Sequence, residues 1–133
     1  MAWNLLHRTL VKRILIVDDS ELIRQSLEKV FCRYPVEVFL AADGNSAIAE
    51  SHAHFYDLCL LDICLPDIDG MEVIRHIKSL SPATKIAIMT VPPINVDHAG
   101  FMMMEADYFI EKPFELSEIK TLADLLFDGK TVV

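Results

Sequence analysis

Short apolar runs without polar alternation recur along this chain: Ile14 to Val17, Val36 to Ala42, Leu58 to Leu61, Ile86 to Met89 and Phe109 to Ile110. Such a run describes a strand buried on both faces, as in a parallel sheet covered by helices on each side. The segments between the runs have helical period. Leu22, Ile23, Ser26, Leu27, Val30 and Phe31 fall on one helical face. Val73, Ile74, Ile77 and Leu80 repeat the pattern, as do Leu116, Ile119, Leu122, Ala123 and Leu126. Ala47 to His54 carries it more weakly. Ile94 to Glu105 follows Pro92-Pro93 and is interrupted by Gly100. Five strands alternating with five helices, at strand spacings of roughly 20 to 28 residues, predict an α/β fold with a doubly wound parallel sheet and single-helix crossovers.

One domain is expected over residues 13–128, with an N-terminal extension at 1–12 and a short tail at 129–133. A chain of 133 residues buries roughly two thirds of its unfolded surface, enough for one core and too little for two. At 53% hydrophobic and 24% charged residues it is not a disordered chain. The net charge of -8 argues against a bare nucleic-acid surface and against a polybasic membrane patch, both of which need clustered Lys and Arg. No run of 18 apolar residues predicts a transmembrane helix. In Met1 to Arg13 the basic residues follow Leu5 and Leu6, the wrong order for a signal peptide. Cys32, Cys59 and Cys64 cannot all pair, and none forms a CxxC. Two of them lie in or beside an apolar run and read as small buried hydrophobes, so a reducing, cytoplasmic location is expected. In the extension, Trp3, Leu5, Leu6, Leu10 and Val11 fit an amphipathic helix, a disordered leader or a dimerisation element equally well.

In doubly wound sheets, ligands sit beyond the carboxyl ends of the strands. The first run ends in Asp18-Asp19, the third in Asp62 and the fourth in Thr90; the fifth leads into Lys112-Pro113. Taken singly, each has an ordinary reading: Asp at a strand-to-helix junction is a cap or turn residue, Thr a strand former, Lys a solvated side chain. Together they would converge on one edge. Carboxylates ~4 Å apart repel by roughly 4 kcal/mol at an effective dielectric of about 20, so three of them need a cation. An all-oxygen ligand set favours Mg²⁺ or Mn²⁺ over Zn²⁺. A lysine and a threonine hydroxyl beside the metal suit a phosphoryl group. No GxxxxGK[ST] or GxGxxG loop is present to cradle a nucleotide. The acceptor is then most simply on the protein, and a carboxylate can form an acyl phosphate. Asp62, single and at the end of the central strand, is the best placed. His52 and His54, two apart, cannot share a metal on a helix, and no role is expected for them or for His7, His76 and His98. Met102 to Met104, after Phe101, fit core packing or an adaptable partner surface.

With these residues in view, the chain resembles the receiver domain of two-component response regulators, of which the chemotaxis response regulator is the single-domain example. The matching stretches are Ile14-Leu15-Ile16-Val17-Asp18-Asp19-Ser20, Ala41-Ala42-Asp43-Gly44, Leu60 to Glu72, Met89-Thr90 and Ala106 to Phe114. The resemblance covers residues 12–127. It implies a flavodoxin-like (βα)5 sheet of order 2-1-3-4-5. It implies Asp62 as phosphoacceptor, with Asp18, Asp19, Asp62 and the Cys64 carbonyl around Mg²⁺. Thr90 and Lys112 would take phosphoryl oxygens, Lys112-Pro113 would be cis, and Phe109 would be the aromatic switch that follows Thr90. The phosphodonor would be a sensor histidine kinase or histidine phosphotransfer protein. The output would pass to a domain or downstream protein through the fourth helical segment, the fifth strand and the last helix (Ile94 to Met104 and Asp107 to Leu126), a homodimer being one arrangement. The chain would then be a signalling switch rather than an enzyme, catalysing only its own phosphorylation and dephosphorylation, either alone or as the receiver of a longer protein.

Three positions depart from the family pattern. Val91 stands where a small residue is usual and is followed by Pro92-Pro93, which lack two backbone donors in the loop that must move. Glu105 stands where glycine is common. Cys64, at a position that tunes dephosphorylation, offers only a weak donor for water. Two other readings stay open. One is a small Mg²⁺-dependent phosphatase working through an aspartyl phosphate, disfavoured because the first strand ends in adjacent aspartates rather than DxD and no cap domain exists. The other is a degenerate receiver that works unphosphorylated.

Overall fold

The computed structural model describes residues 11–91 and 105–127. These form β1 (Lys12–Val17), α1 (Glu21–Phe31), β2 (Val36–Ala41), α2 (Gly44–Ala53), β3 (Leu58–Asp62), α3 (Gly70–Leu80), β4 (Lys85–Thr90), β5 (Tyr108–Glu111) and α4 (Leu116–Phe127). The helix expected at Ile94 to Glu105 lies outside the described residues except for its last residue, as do the Met102 to Met104 run, the N-terminal extension through residue 10, and the tail.

All strand pairs are parallel and the sheet order is β2-β1-β3-β4-β5. The continuous apolar runs have a direct structural cause. Alternate residues of each central strand enter two separate cores. On one face Leu15, Val17, Cys59, Leu61, Ile86 and Ile88 meet Ala47 of α2 and Met71, Val73, Ile74 and Ile77 of α3. On the other, Ile14, Ile16, Leu58, Leu60, Ala87 and Met89 meet Leu27 and Phe31 of α1 and Ile119, Leu122 and Ala123 of α4. Every residue of β3 is buried. β2 departs from the expected burial on both faces: five of its six residues are partly or wholly exposed, because it is an edge strand with a neighbour on one side only.

The helix starts follow from local chemistry. Ser20 caps α1 through its hydroxyl and the Ile23 N–H, Asp43 caps α2 at Ser46, and Asp69 caps α3 at Met71. α2 was weak in the sequence because its buried face is only Gly44 and Ala47.

Gly70 marks a close approach. A Cβ there would lie 2.6 Å from Ile63 Cα and 2.9 Å from the Ile63 carbonyl oxygen, both backbone atoms, and the Gly70 N–H already donates to that oxygen. Gly70→Ala is expected to push the start of α3 off the loop that follows Asp62 and to cost ~1–3 kcal/mol. Urea denaturation checks this, and an unchanged midpoint would contradict it.

Among the cysteines, Cys59 is buried, and desolvation pushes its thiol up to about 12, so it stays protonated and inert. Cys64 and Cys32 are exposed. The reading of Cys64 as a buried hydrophobe is therefore corrected: β3 ends at Asp62, and the chain leaves the sheet before Cys64.

Candidate functional site

Register brings the strand-end residues together. Val17 pairs with Leu61, so Asp18 and Asp62 emerge side by side from the adjacent strands β1 and β3. Asp62 pairs with Met89, so Thr90 comes one residue further along β4. Thr90 pairs with Glu111, and the Lys112 N–H donates to the Thr90 carbonyl at 2.7 Å. The chain passes from β1 to β2 on one side of the sheet and to β3 on the other. The rim above β1 and β3 is thus the point where strand order reverses, and there the crevice opens.

The carboxylates of Asp18, Asp19 and Asp62 each offer an oxygen within 4.8 Å of the others, and among the described residues no other group of three such side chains was found. Asp18 is fully buried, Asp62 is 6% exposed, and Asp19 is open to solvent. The Lys112 ammonium donates to Asp18 Oδ2 at 2.6 Å and to Asp62 Oδ2 at 3.0 Å. Burial by itself lowers the Lys112 pKa, but the hydrogen bonds and charges of Asp18 and Asp62 outweigh it and raise it above the ordinary lysine value. One cation thus serves two of the three carboxylates. This leaves a charge deficit that a divalent ion of the hard, oxygen-seeking kind would make up. The donor set fits Mg²⁺ or Mn²⁺: it is all oxygen, with two buried ligands and one exposed.

The remaining expected residues are placed as follows. Thr90 is buried at the end of β4, with 3% exposure. The Cys64 N–H donates to Asp62 Oδ1 at 2.8 Å, folding the chain back over Asp62. Phe109 lies on the edge strand β5 and is 44% exposed. The Lys112-Pro113 peptide is cis. Val91 is exposed and lines a hollow with Leu22, Ile23, Lys112, Phe114 and Leu116 on the same side of the rim.

Two partners of the aspartates were not anticipated from sequence. Arg24, one turn into α1, donates to the Asp18 carbonyl at 2.7 Å. The Ser20 N–H donates to Asp18 Oδ1 at 2.9 Å. A third contact joins the loop after Asp62 to α2: Asp67 accepts from the N–H groups of Gly44 and Asn45, each at 2.8 Å. Among the described histidines, His54 packs on Phe39 and Tyr56, and His52 on His76; none of these contacts involves a residue of the rim.

This arrangement has counterparts among known proteins. The family model of the response regulator receiver domain matches residues 14–124. Response regulator ArlR of Staphylococcus aureus is 33% identical over 107 residues, covering 80% of this chain and 48% of that protein. The chain thus spans about half the length of the curated relatives it matches. A CheY-like response regulator receiver domain protein from Methanospirillum hungatei JF-1 superimposes with a TM-score of 0.78 at 29% identity, covering 91% of this chain and 98% of the other. The NtrC4 receiver domain, solved as a beryllofluoride-activated dimer, has a TM-score of 0.76 at 28% identity, covering 89% and 98%. Among the described residues no helix is long and apolar enough to cross a membrane. The family match includes β2 to β5, most of β1 and every residue of the acidic rim, and the chain belongs to the response regulator receiver domains of two-component systems.

Proposed function

We propose that Asp62 is the phosphoacceptor of this receiver, with a Mg²⁺ ion held by Asp18, Asp19, Asp62 and the Cys64 carbonyl. The single observation that carries this reading is the gathering of three carboxylates at one strand rim, two of them bonded to one lysine. When bound, the ion supplies positive charge for phosphoryl oxygens next to the acceptor.

A carboxylate oxygen of Asp62 attacks the phosphorus of a phosphohistidine. The new O–P bond forms as the P–N bond breaks, and the imidazole leaves. The protein's own residues position and neutralise. Lys112 carries the charge that follows the phosphoryl group, since its ammonium already spans both buried carboxylates. Thr90, one residue beyond the strand partner of Asp62, donates its hydroxyl to a second oxygen. The Cys64 N–H orients Asp62. Phe109 on β5 and α4 then contribute to the surface that changes for an output partner, whether a domain of a longer protein, a separate protein or a second copy. The donor is a sensor histidine kinase or a histidine phosphotransfer protein. This chemistry belongs in the cytoplasm, where such donors are phosphorylated. The chain acts as a switch and turns over only its own phosphoryl group.

Incubation with a small acyl phosphate and Mg²⁺ is expected to add one phosphoryl mass to the intact protein, and EDTA is expected to prevent it. Equal incorporation with and without the chelator would remove the metal from this account. Steady hydrolysis of sugar phosphates would instead favour the phosphatase reading.

A further inference from the structure

The loop from Ile63 to Asp69 joins the end of β3 to the start of α3 and carries the Cys64 backbone. At its first end the Cys64 N–H is bonded to Asp62. At its last, Asp69 caps α3 and the Gly70 N–H returns to the Ile63 carbonyl. Ile63, Leu65 and Ile68 lean on the core from partly buried positions. Asp67 is exposed, yet both of its carboxylate oxygens are committed, Oδ1 to the Gly44 N–H and Oδ2 to the Asn45 N–H.

Those N–H groups belong to the first two residues of α2. A helix start leaves its first N–H groups without partners inside the helix and carries a partial positive charge. In α2 the side chain of the local cap Asp43 accepts from the Ser46 N–H. The two donors ahead of it are served from more than twenty residues away. Burial would raise the Asp67 pKa, but the N–H groups of Asn45 and Gly44 outweigh it and hold the carboxyl below its usual range. The approach also needs a glycine: a Cβ at Gly44 would meet Ile68 Cγ1 at 2.3 Å and Asp67 Oδ1 at 3.2 Å.

We infer that Asp67 is a positioning residue, tying the middle of the acceptor loop to the start of α2 so that the Cys64 carbonyl is held ready for the metal. The inference rests on the Mg²⁺-dependent phosphoacceptor reading above. A carbonyl ligand on a free loop must be ordered each time an ion binds, and that cost appears as lost affinity; a tethered loop has met it already. Asp67 therefore governs metal affinity more than the rate at saturating metal.

The test compares Asp67→Ala and Asp67→Asn with Asp43→Ala, which removes a capping bond of the same helix but leaves the loop tied. Mg²⁺ binding is followed by calorimetry, and phosphorylation by an acyl phosphate is followed across Mg²⁺ concentrations. Amide exchange at Gly44, Asn45 and Cys64 is read in the metal-free protein. Asp67→Ala is expected to weaken Mg²⁺ binding ~10-fold, to leave the rate at saturating Mg²⁺ within about threefold, and to speed exchange at all three amides. Asp67→Asn, which keeps one acceptor oxygen, is expected to fall between it and wild type. Asp43→Ala is expected to bind Mg²⁺ within about twofold of wild type. A wild type that binds Mg²⁺ beside an Asp67→Ala that binds it equally well overturns this inference alone. So does an Asp43→Ala that loses as much affinity as Asp67→Ala, since the effect would then be helix stability. A wild type that does not bind Mg²⁺ overturns the functional reading, and this inference with it.

Discussion

Asp62→Asn is expected to take up no phosphoryl group from an acyl phosphate in Mg²⁺, a loss of at least about a hundredfold in initial rate. An amide oxygen is a poor nucleophile and carries no charge for a divalent ion. The substitution is close to isosteric, and its one oxygen keeps either the Cys64 N–H, which Asp62 Oδ1 now accepts, or the Lys112 ammonium, which Oδ2 now accepts. The fold should therefore persist, and intact mass spectrometry with circular dichroism separates lost chemistry from lost structure. Undiminished uptake in a folded Asp62→Asn protein would place the acceptor elsewhere.

Lys112→Met carries the second large effect, this time on stability. Asp18 has no exposed surface, and the Lys112 side chain is itself only 13% exposed while bonded to both Asp18 and Asp62. Replacing the ammonium by a thioether of similar length leaves two buried carboxylates without their cation. Removing one partner of a buried ion pair costs about 3–5 kcal/mol. The Ser20 N–H still serves Asp18 and the Cys64 N–H still serves Asp62, which points to the lower part of that range. The loss should shrink in Mg²⁺, because an ion at the rim takes over the neutralising role. Urea denaturation with and without Mg²⁺ measures both. A loss under about 1 kcal/mol in metal-free buffer, or no recovery with the ion, would contradict the electrostatic account.

The sequence made some of this legible for physical reasons and concealed the rest. Ile14 to Val17 and Leu58 to Leu61 read as strands because residues facing two cores cannot alternate with polar ones. The same rule misjudged Val36 to Ala42, since a run of apolar residues does not say whether a second strand will lie alongside. Ala47 to His54 was faint because small residues bury a helix closely while contributing little apolar signal. The rim itself was readable, since polar residues ending consecutive strands of a parallel sheet are carried to one edge by the register. Its cation was anticipated as a phosphoryl partner, and the structure adds that Lys112 already bridges Asp18 and Asp62. Asp67 was invisible: alone in a loop it looks like a solvated turn residue, and only the contact with Gly44, far along the chain, shows what it holds. Gly44, within the Ala41 to Gly44 stretch, was the available signal, and the structure shows that it is needed for a close approach.

Chemical mapping of the phosphorylated residue tests the central claim most directly. Borohydride reduces an aspartyl phosphate to homoserine, so protein treated with acyl phosphate and Mg²⁺, reduced and digested, reports the acceptor by peptide sequencing. Homoserine at position 62, absent when Mg²⁺ is withheld, is the predicted result. Homoserine at position 18, 19 or any other aspartate, with Asp62 intact, would contradict it.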